Sequence, residues 1–149
     1  MSLKNLVVKQ AQVNVKFRLY LLACAGPGIL VIILPNGSSV TVSLACRYVK
    51  ILLIYNKALQ ESRHRANEAA RGWLTNEAVA SLYVADDAIP PEPYVFTTYR
   101  SHIHGAIKEE MWRECPEQTA PLLFYSERKL GTRLITEIEI IEHEHNDIR

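Results

Sequence analysis

From Gln12 to Leu21 the chain alternates. Val13, Val15, Phe17, Leu19 and Leu21 fall on one face and Asn14, Lys16 and Arg18 on the other, the period of two of a half-buried strand. Gly26-Pro27-Gly28 interrupts it. Ile29-Leu-Val-Ile-Ile-Leu34 and Ser39-Val-Thr-Val-Ser43 then flank Pro35-Asn36-Gly37. Asn-Gly supplies the two positive-φ residues of a type I′ turn, which predicts a hairpin. From Leu44 the period becomes helical. Tyr48, Leu52, Tyr55 and Leu59 share a face, with Val49 and Leu53 beside them and Ser43 as N-cap. The polar run Gln60 to Arg71 either prolongs this helix or forms a long connection, and Gly72 stops it.

Thr75 caps a second, short helix that reaches Tyr83 and buries Ala78, Val79 and Leu82, with Trp73 alongside. Pro90, Pro91 and Pro93 enforce a loop. A third helix is expected from Tyr94 to Trp112, with Val95, Tyr99, Ile103 and Ala106 on its buried face. Leu122–Ser126 and Thr132–Ile141 read as a closing hairpin around Lys129-Leu130-Gly131, in which Ile138 and Ile140 alternate with Glu137 and Glu139. The predicted fold is therefore α+β, with an N-terminal antiparallel sheet, a three-helix core and a C-terminal β-hairpin. That order describes a winged helix-turn-helix, as a single domain over 1–141 followed by a polar acidic tail, 142–149.

At 149 residues, 48% hydrophobic and 22% charged, the composition fits one globular domain and excludes collagen, long disorder and multi-pass membrane proteins. The apolar run from Leu19 to Leu34 is broken by glycine and proline and is shorter than the ~18–20 residues a bilayer requires. No membrane association is expected. Cys24, Cys46 and Cys115 form no C-x-x-C, so a reducing, cytoplasmic compartment is the natural setting. The net charge of +1 conceals a segregation: residues 1–71 carry ten lysines and arginines against two acids, and residues 72–149 carry seven against fourteen. Such asymmetry can mark a surface that meets a polyanion.

Catalytic signatures are missing: there is no Gly-x-Ser-x-Gly, P-loop, dinucleotide fingerprint or His-Glu-x-x-His. An enzyme, a cofactor and a metal site are not expected. His102 and His104 cannot share a ligand face on a helix. His143 and His145 could do so in a strand, but a ragged polar terminus reads them better. Cys46 reads as a buried small hydrophobe, and His102 as packing near the boundary of helix and sheet.

Residues 29–134 resemble the OmpR/PhoB-type winged-helix effector domain of bacterial transcriptional regulators. The resemblance is carried by the Asn36-Gly37 hairpin with Val40-Thr-Val-Ser43, by Gly72-Trp-Leu-Thr75, and by Tyr99-Arg-Ser-His-Ile-His-Gly-Ala106 in the place of the recognition helix. It continues in Leu123-Phe-Tyr-Ser-Glu-Arg-Lys-Leu-Gly-Thr-Arg-Leu134, which keeps Gly131, Arg133 and Leu134 of the family's wing. The chain departs from the family where Ile107 replaces an arginine, where Glu109 and Glu110 follow, and where Lys129 and Thr132 replace a glycine and a tyrosine.

The resemblance implies a DNA-binding transcriptional regulator that reads double-stranded DNA with the third helix and wing. Thr97, Arg100, Ser101, His104 and Lys108 are expected to face outward from that helix. Such a surface reads base edges and phosphates, or is an ordinary solvated face. Arg128, Lys129 and Arg133 at the wing either neutralise phosphates or keep the hairpin soluble. Loop 84–93, acidic through Asp86, Asp87 and Glu92, is where the family can touch RNA polymerase; otherwise it is a proline-stiffened connection. A homodimer is left open. The competing expectation is a winged-helix protein–protein interaction module that does not bind DNA.

Overall fold

A computed structural model describes residues 14–22, 26–64, 70–83 and 91–142. Val13, Cys24, Asp86, Asp87, His143 and His145 lie outside them. Among the described residues the elements run β1 (Lys16–Leu21), β2 (Gly28–Ile33), β3 (Ser39–Leu44), α1 (Cys46–Glu61), α2 (Asn76–Tyr83), α3 (Val95–Glu114), β4 (Phe124–Glu127), β5 (Gly131–Leu134) and β6 (Glu139–Glu142). The class is α+β, as the hydrophobic periods predict.

β1 pairs with β2 and β2 with β3, both antiparallel, and the alternating residues Phe17, Leu19, Leu30, Ile32, Val40, Val42 and Leu44 are buried. The β2–β3 hairpin turns through three residues rather than through the expected type I′ pair. Gly37 N donates to Leu34 O and Leu34 N to Ser38 O, both at 2.9 Å, and only then does Gly37 adopt a positive φ of 90°. Pro35, with its fixed φ, suits the second position of a type I turn, and glycine takes the bulge that follows. The Asn36 carboxamide oxygen accepts from Ser38 N and Oγ, tying the loop shut.

Two expectations about strands are corrected. Thr132–Ile141 is not one strand: the chain bends at Ile135 and Thr136, and β6 leaves the β4–β5 hairpin. It joins the first sheet instead, parallel to β1, giving the order β3-β2-β1-β6. That sheet is therefore mixed rather than purely antiparallel. The crossing is held by Asn56 of α1, which is buried. Its Oδ1 accepts from Ile138 N at 2.8 Å and its Nδ2 donates to Ile138 O at 3.0 Å, satisfying both backbone groups of a residue that no strand pairs there.

The helices cover one face of the sheet. Leu52, Tyr55, Val79, Phe96, Ile103, Ile107 and Met111 join the strand residues in one core. At about 1.5–3 kcal/mol for each fully buried large side chain, this cluster is the main source of stability. Ser43 does not cap α1, because it belongs to β3; Ala45 precedes the helix. α1 ends at Glu61, well before Gly72, where the Ser62 hydroxyl donates to Ala58 O. Thr75 does cap α2, its Oγ1 accepting from Ala78 N at 3.1 Å. Leu82, expected inside, is 52% exposed, since the eight-residue α2 buries only Val79 and Ala80 fully.

Candidate nucleic-acid interface

α3 keeps the expected bounds to within two residues but is turned relative to the sequence pattern. Phe96, Ile103, Ile107 and Met111 are the buried residues, whereas Val95, Tyr99 and Ala106 sit half-buried on one flank. Ile107, which stands where the resembled family has an arginine, is a core residue. The outward stripe at helical spacing is Thr98, Ser101, Gly105, Lys108 and Trp112, all exposed, with Thr97 exposed beside it.

Arg100 therefore points towards the core, and its expected exposure is corrected. It is half-buried, and its Nη1 donates to Tyr55 Oη and to Asn76 Oδ1, both at 2.9 Å. Its Nη2 donates to Thr97 Oγ1 at 3.3 Å, and Asn76 Nδ2 donates to the same hydroxyl at 3.0 Å. Burial raises the Tyr55 phenol above its ordinary ionisation range, and the nearby Arg100 charge opposes that rise. One guanidinium thus ties α1, the start of α2 and α3 together. Three of the five donors of the fork are thereby engaged within the fold.

The β4–β5 hairpin stands against the start of α2. Leu74 N donates to Thr132 O at 2.9 Å and Thr132 N to Leu74 O at 2.8 Å. This close approach requires Gly131, whose φ is 104°; a Cβ there would lie 2.6 Å from the Leu74 carbonyl carbon. Arg133 was expected at a phosphate, but it is buried. Its Nε donates to Leu134 O at 3.0 Å and its guanidinium lies 5.9 Å from the Trp73 ring centre. Arg128 and Lys129, in the turn, are exposed. The Arg133-Leu134 pair therefore serves the hairpin's packing, while the turn itself carries the outward charge.

His104 is half-buried. Burial lowers its pKa below the ordinary value, and the Lys108 charge one turn on lowers it further, favouring neutral imidazole. His102 is exposed rather than packed at a helix–sheet boundary, and its Nδ1 bonds the Tyr48 hydroxyl at 2.8 Å. Cys46 is half-buried rather than buried. Glu109 and Glu110 are both engaged by Arg113. Trp112, to which the sequence pattern gave no role, is 76% exposed. It borders a shallow apolar groove of about 440 Å³ with Met111, Pro116 and Ala120. Only the position of Trp112 at the far end of the Ser101–Lys108 stripe could have singled it out.

Thr97, Ser101 and Lys108 are thus exposed on α3, and Arg128 and Lys129 in the hairpin turn; Arg100 and Arg133 are drawn inward. Among the described residues no helix is long and apolar enough to cross a membrane, and no group of His, Cys, Asp and Glu gathers as metal ligands. No family model, no curated protein and no solved structure matches the chain.

Proposed function

We propose that the chain is a winged-helix DNA-binding protein, acting as a cytoplasmic transcriptional regulator that lays α3 against double-stranded DNA. The observation that carries this reading is the outward stripe of α3. Ser101, Gly105 and Lys108 are exposed there, on a helix whose N-terminal neighbour α2 is pinned to a hairpin bearing Arg128 and Lys129 in its turn. A helix enters the major groove most readily when small and cationic residues lead. Because Arg100 and Arg133 are engaged internally, phosphate neutralisation rests on Lys108, Arg128 and Lys129, and base reading on Ser101, Thr97 and His104. Loop 84–93 remains the proposed contact for RNA polymerase.

Electrophoretic mobility with random-sequence duplex tests the reading. Binding should be measurable at about 50 mM salt and fall steeply by about 200 mM, with a slope near one per phosphate engaged. Salt-independent binding, or none at low salt, refutes it. A second reading, a protein-interaction module, is favoured by one feature: exposed Trp112 beside its apolar groove, since a large aromatic in a pocket is the usual anchor of a protein interface.

A further inference from the structure

The described arginines meet different partners. Arg18 donates to Glu139 at 2.8 Å, Arg63 to Glu137, and Arg113 to Glu110 at 2.8 Å and Glu109 at 3.4 Å. Arg100 and Arg133 donate to uncharged oxygens around the core. Arg47, at the start of α1, meets no carboxylate among the described residues. It is exposed, its guanidinium lies 4.7 Å from the centre of the Tyr48 ring, and its Nη2 donates to the Tyr48 hydroxyl at 3.3 Å. Contact with the tyrosine raises its pKa, and no carboxylate among the described residues contributes to that rise.

Tyr48 is itself fixed. Its ring meets Tyr99 edge-on at 5.6 Å and His102 at 6.0 Å. Its hydroxyl accepts from Arg47 and bonds His102 Nδ1 at 2.8 Å. The imidazole is exposed, and its Nε2 edge faces away from the hydroxyl. The result is a guanidinium that meets no carboxylate among the described residues, joined through one hydroxyl to an exposed imidazole.

Its place on the fold decides what it faces. Successive residues of a helix lie about 100° apart. Thr97 marks the flank of α3 joined to α2 and, through Leu74, to the hairpin; His102 marks the other flank, joined to α1. Ser101, Gly105 and Lys108 lie between. We infer that Arg47, Tyr48 and His102 form a second phosphate-binding lip, which grips the sugar–phosphate backbone of a duplex on the side of α3 opposite the hairpin. The inference rests on the duplex-binding reading and completes it, because Lys108 stands between the two flanks and Arg128 and Lys129 stand in the hairpin turn beyond the other.

The test measures duplex affinity against chloride concentration for the wild type, Arg47→Gln, Arg47→Lys, His102→Ala and the double variant Arg128→Gln/Lys129→Gln, with unfolding midpoints recorded for each. Each cationic contact contributes about 0.9 to the salt slope. Arg47→Gln should therefore shrink the affinity ratio between about 50 and 200 mM salt by about 3.5-fold, and Arg47→Lys should restore it. His102→Ala should weaken binding, since it removes one of the two side chains that meet at the Tyr48 hydroxyl. A wild-type slope in Arg47→Gln, alongside a reduced slope in the Arg128/Lys129 variant, overturns the lip and leaves the duplex reading standing. A wild type that fails to bind duplex at about 50 mM salt overturns both.

Discussion

Replacing Gly131 with alanine tests how the hairpin is fastened to the helices. The residue has a φ of 104°, and a Cβ there would lie 2.6 Å from Leu74 C and 2.9 Å from Thr75 N, both backbone atoms that cannot swing aside. The positive φ costs about 1–2 kcal/mol for an L side chain. Relieving the clash means separating Leu74 from Thr132, which loses two backbone hydrogen bonds worth about 1 kcal/mol each. The expected loss is about 3–4 kcal/mol, read as a shift in urea midpoint. Gly37→Ala is the control: its φ is 90°, yet nothing lies within 4 Å of the added carbon, so only the conformational cost of about 1–2 kcal/mol remains. Amide exchange should accelerate at Leu74 and Thr132 in Gly131→Ala and stay unchanged in Gly37→Ala. Equal losses in the two variants, with Leu74 and Thr132 still protected, would refute the proposed fastening.

Gly105→Ala should stabilise the fold by about 1 kcal/mol, because an alanine there meets no atom within 4 Å and glycine is a poor residue inside a helix. If α3 lies against DNA the same variant should bind duplex more weakly, so calorimetric unfolding and gel mobility should move in opposite directions. Arg100→Ala should cost about 2–4 kcal/mol by leaving Tyr55 Oη and Asn76 Oδ1 without their donor, and the ratio of affinities for two different duplexes should not change. For His104 the folded pKa lies below its ordinary 6.5, so the folded chain binds fewer protons than the unfolded chain under acid conditions. Its contribution to stability is present above pH 6.5 and is lost as pH falls through the folded value, and His104→Gln should flatten that part of a urea-midpoint profile.

The sequence pattern locates β1, β2, β3 and the three helices, because an alternation of two and a period near 3.6 are local properties of the chain. It mistakes the Pro35-Asn36-Gly37 turn because Asn-Gly dominates the signal, while Pro35 just before it fits a longer loop. It runs β5 into β6 because Ile138 and Ile140 continue an alternation that says nothing of which sheet receives them. That choice is made by Asn56, 82 residues away in sequence. The phase of α3 is misread because Val95, Tyr99 and Ala106 form a real apolar flank, and only packing decides that Phe96, Ile107 and Met111 lie deeper. Arg100 looks like a surface cation until neutral acceptors (the Tyr55 hydroxyl, the Asn76 carboxamide) arrive from distant segments, and Arg133 until the hairpin folds its guanidinium onto the adjacent Leu134 carbonyl and beside the Trp73 ring. The Arg47–Tyr48–His102 cluster is invisible for the same reason: 54 residues separate its tyrosine from its histidine.

The parallel pairing of β6 with β1 sets an order of events during synthesis. Arg18 and Glu139 meet across 121 positions, so β1 emerges from the ribosome long before its second neighbour exists. At about 5–20 residues per second, that side of β1 stays open for on the order of ten seconds. Throughout that interval β2 and β3 can pair, but the unsatisfied edge of β1 is a template for any other extended chain. Closing the sheet over so long a loop is also entropically slow, which makes docking of β6 the expected last step of folding. Conditions that delay translation beyond Ile138 should therefore yield aggregated rather than degraded chain, with β1 at the point of association.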